Sequence, residues 1–202
     1  MPRRARAAMA ALAVALLAAL AFGSVPGSPF QPVLPSEPGG PLAWLGRAVG
    51  FGALSPTAAP YVGAALLAAV AGAFAWVVVE ARAGRVAASA AWTLAIAAHV
   101  LLLLAPLLFS RDVYSYAAYG RIAAVHGANP YVATPADFPS DPVVAFVGPK
   151  WRATPAVYGP AFTALAAGVA RAATSAEALV AAFRWIAIAA SLATLALVRS
   201  LV

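Results

Sequence analysis

The sequence contains no cysteine. That excludes a disulfide framework, a thiol nucleophile and a cysteine-ligated metal. Histidine is almost as scarce: His99 and His126 are alone, too few for a histidine-rich zinc site. Charge is scarce as well. Charged residues make up 9% of the 202 residues and hydrophobic residues 64%, with a mean hydropathy of +0.89. Soluble domains carry about 25% charged and roughly 45–50% apolar residues. The deficit of charge excludes an ordinary soluble domain, and the apolar excess excludes a disordered chain. An integral membrane protein remains. Thirteen bases against six acids give a net charge of +7. In such a chain this excess reads as cytoplasmic anchoring charge, not as a nucleic-acid footprint.

Long apolar runs are what the sequence does have. A spanning helix needs about 20 mostly apolar residues. Five segments qualify: 7–23, after Arg3, Arg4 and Arg6, then 60–79, 89–109, 159–173 and 178–198. The expected fold is all-α, a polytopic transmembrane helical bundle of about four to five spans. Arg171, Glu177 and Arg184 crowd the last junction and suit a short turn at a membrane surface. The first segment also has the form of a signal peptide, with a basic start, an apolar run and small residues near Gly23-Ser24. Either way the chain emerges on the outer side. Arg3, Arg4, Arg6, Arg82, Arg85 and Arg171 then fall inside, and Arg47, Arg111, Arg121, Lys150 and Arg152 outside. The orientation rests on the N-terminus and the short loop 80–88.

Prolines mark the first polar stretch. Pro26, Pro29, Pro32, Pro35, Pro38 and Pro41 recur at three-residue spacing, which predicts a polyproline-II spacer. Residues 42–54 are expected to lie in the interface, with Trp44 at headgroup depth. Pro106 predicts a kink near the outer end of the third span.

The second polar stretch, 110–160, holds five of the six tyrosines, three of the six acids and four of the thirteen bases. It is too polar to cross a membrane and too aromatic for a passive linker. Residues 111–126 read as a juxtamembrane helix within this external loop. Helical periodicity puts Asp112, Ser115, Tyr116, Tyr119, Ala123 and His126 on one face, and Tyr114, Ala118, Arg121 and Val125 on the other. Gly127 and Pro130 end the helix.

Asp112, at the membrane exit, is the candidate catalytic base, able to take a proton from an attacking sugar hydroxyl. The alternative for it is a helix-start aspartate or a surface ion pair. Arg121, Lys150 and Arg152 are candidates to bind a phosphate, or else anchors among lipid headgroups. His126 reads as polar punctuation or a hydrogen-bond donor. His99, mid-span, reads as a neutral side chain bonded to a neighbouring helix. Asp137 and Asp141 lie four residues apart, but the prolines around them favour turns over a metal pair. No ligand cluster calls for a metal, and a divalent ion is left open.

The strings Arg111-Asp112-Val113-Tyr114-Ser115-Tyr116, Gly120, Gly127-Ala128-Asn129-Pro130-Tyr131, Asp141-Pro142, Trp151-Arg152 and Tyr158-Gly159-Pro160 together resemble the bacterial polyprenol-phosphomannose-dependent alpha-1,6-mannosyltransferases. These are multi-pass glycosyltransferases of the GT-C class. The resemblance covers about 110–162, with the flanking spans similar in character. It implies a polyprenyl-phosphate-linked sugar donor, a cell-envelope glycan or glycolipid acceptor, an active site on the outer face of the cell membrane, and inversion at the anomeric carbon. It also implies an acidic base in an external loop at the end of a span, a position on which Asp112 falls. Tyr116, Tyr119, His126, Trp151 and Tyr158 are then expected to contact the sugar or the prenyl chain. Enzymes of this group carry many more spans, so residues 1–202 are expected to be the N-terminal portion of such an enzyme.

A non-catalytic membrane protein, such as a lipid-linked sugar transporter or an assembly scaffold, is the alternative. Transport pathways place ionisable groups within spans. Here only His99 does so clearly, while the polar chemistry gathers in one loop. That favours an enzyme surface.

Overall fold

A computed structural model describes residues 1–35 and 41–201. It is helical, with no β-strand among the described residues. The chain forms two compact units, Met1–Phe109 and Ser110–Val202.

The first unit contains α1 (Arg3–Ser24), α2 (Ala43–Ala48), α3 (Ala59–Arg82) and α4 (Ala88–Leu104). α1 runs uninterrupted because no proline or central glycine breaks its alanine- and leucine-rich stretch. Its buried positions Ala5, Ala8, Leu12, Ala19 and Phe22 recur every three, four or seven residues and form one stripe. That stripe packs on α3, and its alanines allow a close approach. The core at one end of this pair is aromatic. Phe22 meets Phe30 and Phe51 edge-on, with centroids 4.9 and 5.4 Å apart. A Cβ on Gly63 of α3 would lie 2.9 Å from the Phe30 ring, so glycine is what admits that ring.

The start of the proline-spaced stretch is folded rather than extended. Residues 25–31 form successive turns, and the Gln31 side-chain amide donates to the carbonyls of Gly23 and Val25 at 2.7 and 3.2 Å. Phe30 is thereby drawn into the core, and its burial outweighs the polyproline preference. The part of the spacer at 36–40, with Pro38, lies outside the described residues. Within 42–54, α2 docks through Gly46 against the Ala21 carbonyl of α1, leaving Trp44 62% exposed.

The expected third span stops early. α4 ends at Leu104, and Ala105 is extended at φ −76°, ψ 150°. Proline disfavours the helical conformation in the residue before it, so Pro106 terminates this helix instead of kinking it.

The second unit contains α5 (Asp112–Ala124), α6 (Pro149–Arg152), α7 (Pro160–Ala172) and α8 (Ala176–Ser200). α5 is its centre, buried from Tyr114 to Ile122 apart from the half-buried Tyr116. It crosses α7 closely at Gly120, where any Cβ would collide with the backbone carbonyl of Ala166. The facing stripe of α7 is Thr163, Ala166, Ala167 and Ala170. α8 begins at Ser175, whose hydroxyl accepts from the Ala178 N–H at 3.2 Å as an N-cap. Only its first turns, through Phe183, are buried.

Among the described residues, three helices are long and apolar enough to cross a membrane: Arg3–Ser24, Ala59–Arg82 and Ala176–Ser200. α4 is a shorter apolar helix of 17 residues. α7, placed on the expected fourth span, has 13 residues. That gives it a length of about 20 Å, against a hydrocarbon core of about 30 Å.

Candidate active site

The juxtamembrane helix forms as expected, and its two ends are chemically different. At its start the Ser110 hydroxyl accepts from the Asp112 N–H at 3.1 Å. The Asp112 side chain is half-buried and makes no ion pair or side-chain hydrogen bond among the described residues. Around it stands an aromatic cluster. Tyr116 packs edge-on against Tyr158, Phe162 and Phe183, with centroids 5.0, 5.2 and 6.0 Å apart. Burial above all, with lesser contributions from neighbouring Tyr116, Asp112 and Tyr119, pushes the pKa of the Tyr158 phenol up to about 12. At neutral pH Tyr158 is therefore a proton-bearing phenol within electrostatic reach of the Asp112 carboxylate.

The loop after α5 is held by side chains that clasp backbone. Tyr119 is 1% exposed, and its hydroxyl donates to the Thr154 carbonyl at 2.9 Å. Tyr131 donates to the Tyr158 carbonyl and to the Thr163 hydroxyl, each at 3.0 Å. The Arg152 guanidinium donates to the carbonyls of Val147 and Ala145 at 3.1 and 2.8 Å and staples the turn before α6. Lys150 is exposed, with its Nζ 5.2 Å from the centre of the Trp151 ring. Arg111 packs beside Gly148, where a Cβ would lie 3.5 Å from its Nε.

The far end of α5 carries a buried ionic knot. The Arg121 Nε–H points at both oxygens of Asp141, at 3.0 and 2.8 Å. His126 Nε2 meets Asp141 Oδ2 at 2.7 Å, and the Val143 N–H donates to Oδ1 at 3.0 Å. The His126 ring stacks on Phe138, with centroids 4.2 Å apart. Burial would raise the Asp141 pKa, but Val143, Arg121 and His126 outweigh it and hold the carboxyl below its ordinary value. Gly127, at φ +64°, turns the chain out of the helix as its sequence position predicts.

The structure thus divides the expected site residues. Asp112, Tyr116 and Tyr158 come together, as the Tyr158 environment shows. Arg121, offered by the sequence as a phosphate ligand, has its guanidinium engaged by Asp141. Arg152 is engaged by carbonyls, and Tyr119 is enclosed. His126 shares a helical face with Asp112 on paper. Fourteen residues further along, it lies about 20 Å away by helical rise. The sequence reads Asp141 as a turn aspartate, whereas the structure makes it the centre of the ionic knot. Its only signal in the sequence is an acid in the same loop as Arg121 and His126, a feature it shares with Asp137. No group of three or more potential metal-ligating residues occurs among the described residues.

Residues 5–202 match the family described as alpha-(1->6)-mannopyranosyltransferase, N-terminal domain. The chain belongs to this family. A probable alpha-(1->6)-mannopyranosyltransferase of Mycolicibacterium smegmatis is 46% identical over 72 residues. The matched segment covers 35% of this chain and 13% of that protein. No solved structure matches the chain. Membership in the family accords with the resemblance read in the loop motifs, and extends it over both units.

Proposed function

We propose that this chain is the N-terminal part of a membrane mannosyltransferase that takes mannose from a polyprenyl-phosphate carrier and passes it to a glycan or lipid acceptor. Asp112 is the base. Its carboxylate takes the proton from an acceptor hydroxyl as that oxygen attacks the anomeric carbon. The bond from that carbon to the phosphate oxygen breaks, the configuration inverts, and polyprenyl phosphate leaves with the bonding electrons. Tyr116 and Tyr158 line the sugar position, where Tyr158 remains a hydrogen-bond donor across the physiological range. Lys150, exposed above Trp151, supplies positive charge for the phosphate. Arg121 and Arg152 shape the loop that presents it. The loop lies on the outer face of the cell membrane, in keeping with the basic start of α1.

The observation that carries this reading is the contrast at α5: a carboxylate without an ionic partner among the described residues, at a helix start, beside the proton-bearing Tyr158 phenol. The test is transfer from polyprenyl-phosphate mannose by the full-length protein and by its Asp112→Asn variant. The amide cannot accept the proton, so turnover is expected to fall by about 100- to 10,000-fold. Wild-type turnover in the variant would remove Asp112 from the reaction.

A further inference from the structure

α1 and α3 pair extensively, and Phe22 near the end of α1 packs on Gly63 near the start of α3, so the start of α1 lies beside the end of α3. Five arginines therefore collect at one end of the first unit: Arg3, Arg4 and Arg6 from α1, Arg82 from α3, and Arg85 from the turn that follows. Glu80 answers one of them. Its side chain is 4% exposed and takes the Arg85 Nε–H at 2.6 Å. Glu80 and Arg85 are thus internally matched. Arg3, Arg4, Arg6 and Arg82 are exposed, and their side chains make no hydrogen bond or ion pair among the described residues. Next to this cationic end, α3 presents apolar side chains outward on one face: Trp76 and Val79 are 41% and 58% exposed.

We propose that this end of the α1–α3 pair is a binding site for an anionic phospholipid. The arginines hold its phosphodiester, and its acyl chains lie along Trp76 and Val79, which share one face of α3. Arginine forks suit phosphate oxygens, which accept two parallel N–H bonds. An indole one turn inside a row of arginines marks the depth where headgroup meets hydrocarbon. A soluble acidic partner would use the arginines but would have no use for the apolar side chains beside them. The Glu80–Arg85 pair holds the turn after α3 in place, and so fixes where Arg82 projects. The site is independent of the sugar-transfer reading, since none of its residues belongs to the Asp112 loop.

The test uses tryptophan fluorescence of the full chain in vesicles of phosphatidylcholine. A small fraction of brominated-chain phosphatidylglycerol, or of brominated-chain phosphatidylcholine, is added as the quencher. The brominated phosphatidylglycerol is expected to quench more strongly, through enrichment of about fivefold for each arginine engaged. The preference is expected to disappear in Arg3→Gln/Arg4→Gln/Arg6→Gln/Arg82→Gln and to persist in Arg47→Gln. In wild-type protein it weakens as salt is raised, and Trp76→Phe removes most of the differential quenching. Millimolar inorganic phosphate is expected to leave it unchanged. Equal quenching by the two lipids, an unaltered preference in the fourfold variant, insensitivity to salt, or displacement by inorganic phosphate alone would each overturn the proposal.

Discussion

One helix, α5, is flanked by two carboxylates in opposite circumstances. Asp141, reached by the far end of the helix, receives the Arg121 guanidinium, His126 and the Val143 N–H, and is 7% exposed. Asp112, at the near end, receives none of these. A buried charge is tolerable only when paired and hydrogen-bonded, so Asp141 has become part of the architecture. Asp112, partly buried and without an ionic partner among the described residues, is not tied into the architecture in this way. The lesson is that two acids of one loop, similar in sequence, are sorted by their partners into a structural group and a candidate reacting one.

The contrast is broken most forcefully at the knot. Asp141→Ala leaves Arg121 buried without its counter-charge, and is expected to cost about 3–5 kcal/mol of stability. Thermal unfolding in detergent measures this, and a variant as stable as wild type would contradict the structural role. The same carboxyl gives a pH signature. Its pKa is lower folded than unfolded, so its contribution is complete above the unfolded value and is lost as pH falls through the folded one. Unfolding temperature is therefore expected to drop in acid, and Asp141→Asn to flatten that part of the profile.

The crossing that supports α5 is next. Gly120→Val drives a branched side chain into the Ala166 backbone, which cannot swing aside as a flexible side chain can. A loss of about 1–3 kcal/mol is expected in the same unfolding measurement. A smaller effect of opposite sign is expected at Ser115, whose buried hydroxyl has no hydrogen-bond partner among the described residues. Ser115→Ala removes an unpaired polar group and is expected to be neutral or stabilising by up to about 1 kcal/mol. A clear loss would show that the hydroxyl is satisfied by a bound molecule.

These sites also show where sequence reading reaches and where it stops. Composition and apolar run length located α1, α3 and α8, because an uninterrupted apolar segment of bilayer length has few alternatives to a helix. α5 and its stop at Gly127 were legible from local periodicity and turn chemistry. The early end of α4 was legible in kind but not in outcome: Pro106 announces a break, and only the surrounding packing decides between kink and termination. The Arg121–Asp141 pair was not legible. Its members lie 20 residues apart, one on a helix and one in a proline-punctuated loop, and no local rule links them. Helical faces drawn at 100° per residue grouped His126 with Asp112 by angle while ignoring the rise that separates them. The folding of residues 25–31 into the aromatic core was hidden for the same reason, since Phe30 finds Phe22 and Phe51 only in three dimensions.

The division of labour between the two acids is tested most directly by one paired measurement on the full-length protein. Mannosyl turnover and unfolding temperature are measured together for Asp112→Asn, Asp141→Asn and wild type. The expected result is turnover reduced by about 100-fold or more with an unfolding temperature unchanged within error. An unfolding temperature lowered as far as that of Asp141→Asn, with turnover falling only in step with the folded fraction, would make Asp112 a structural residue and contradict its assignment as the base.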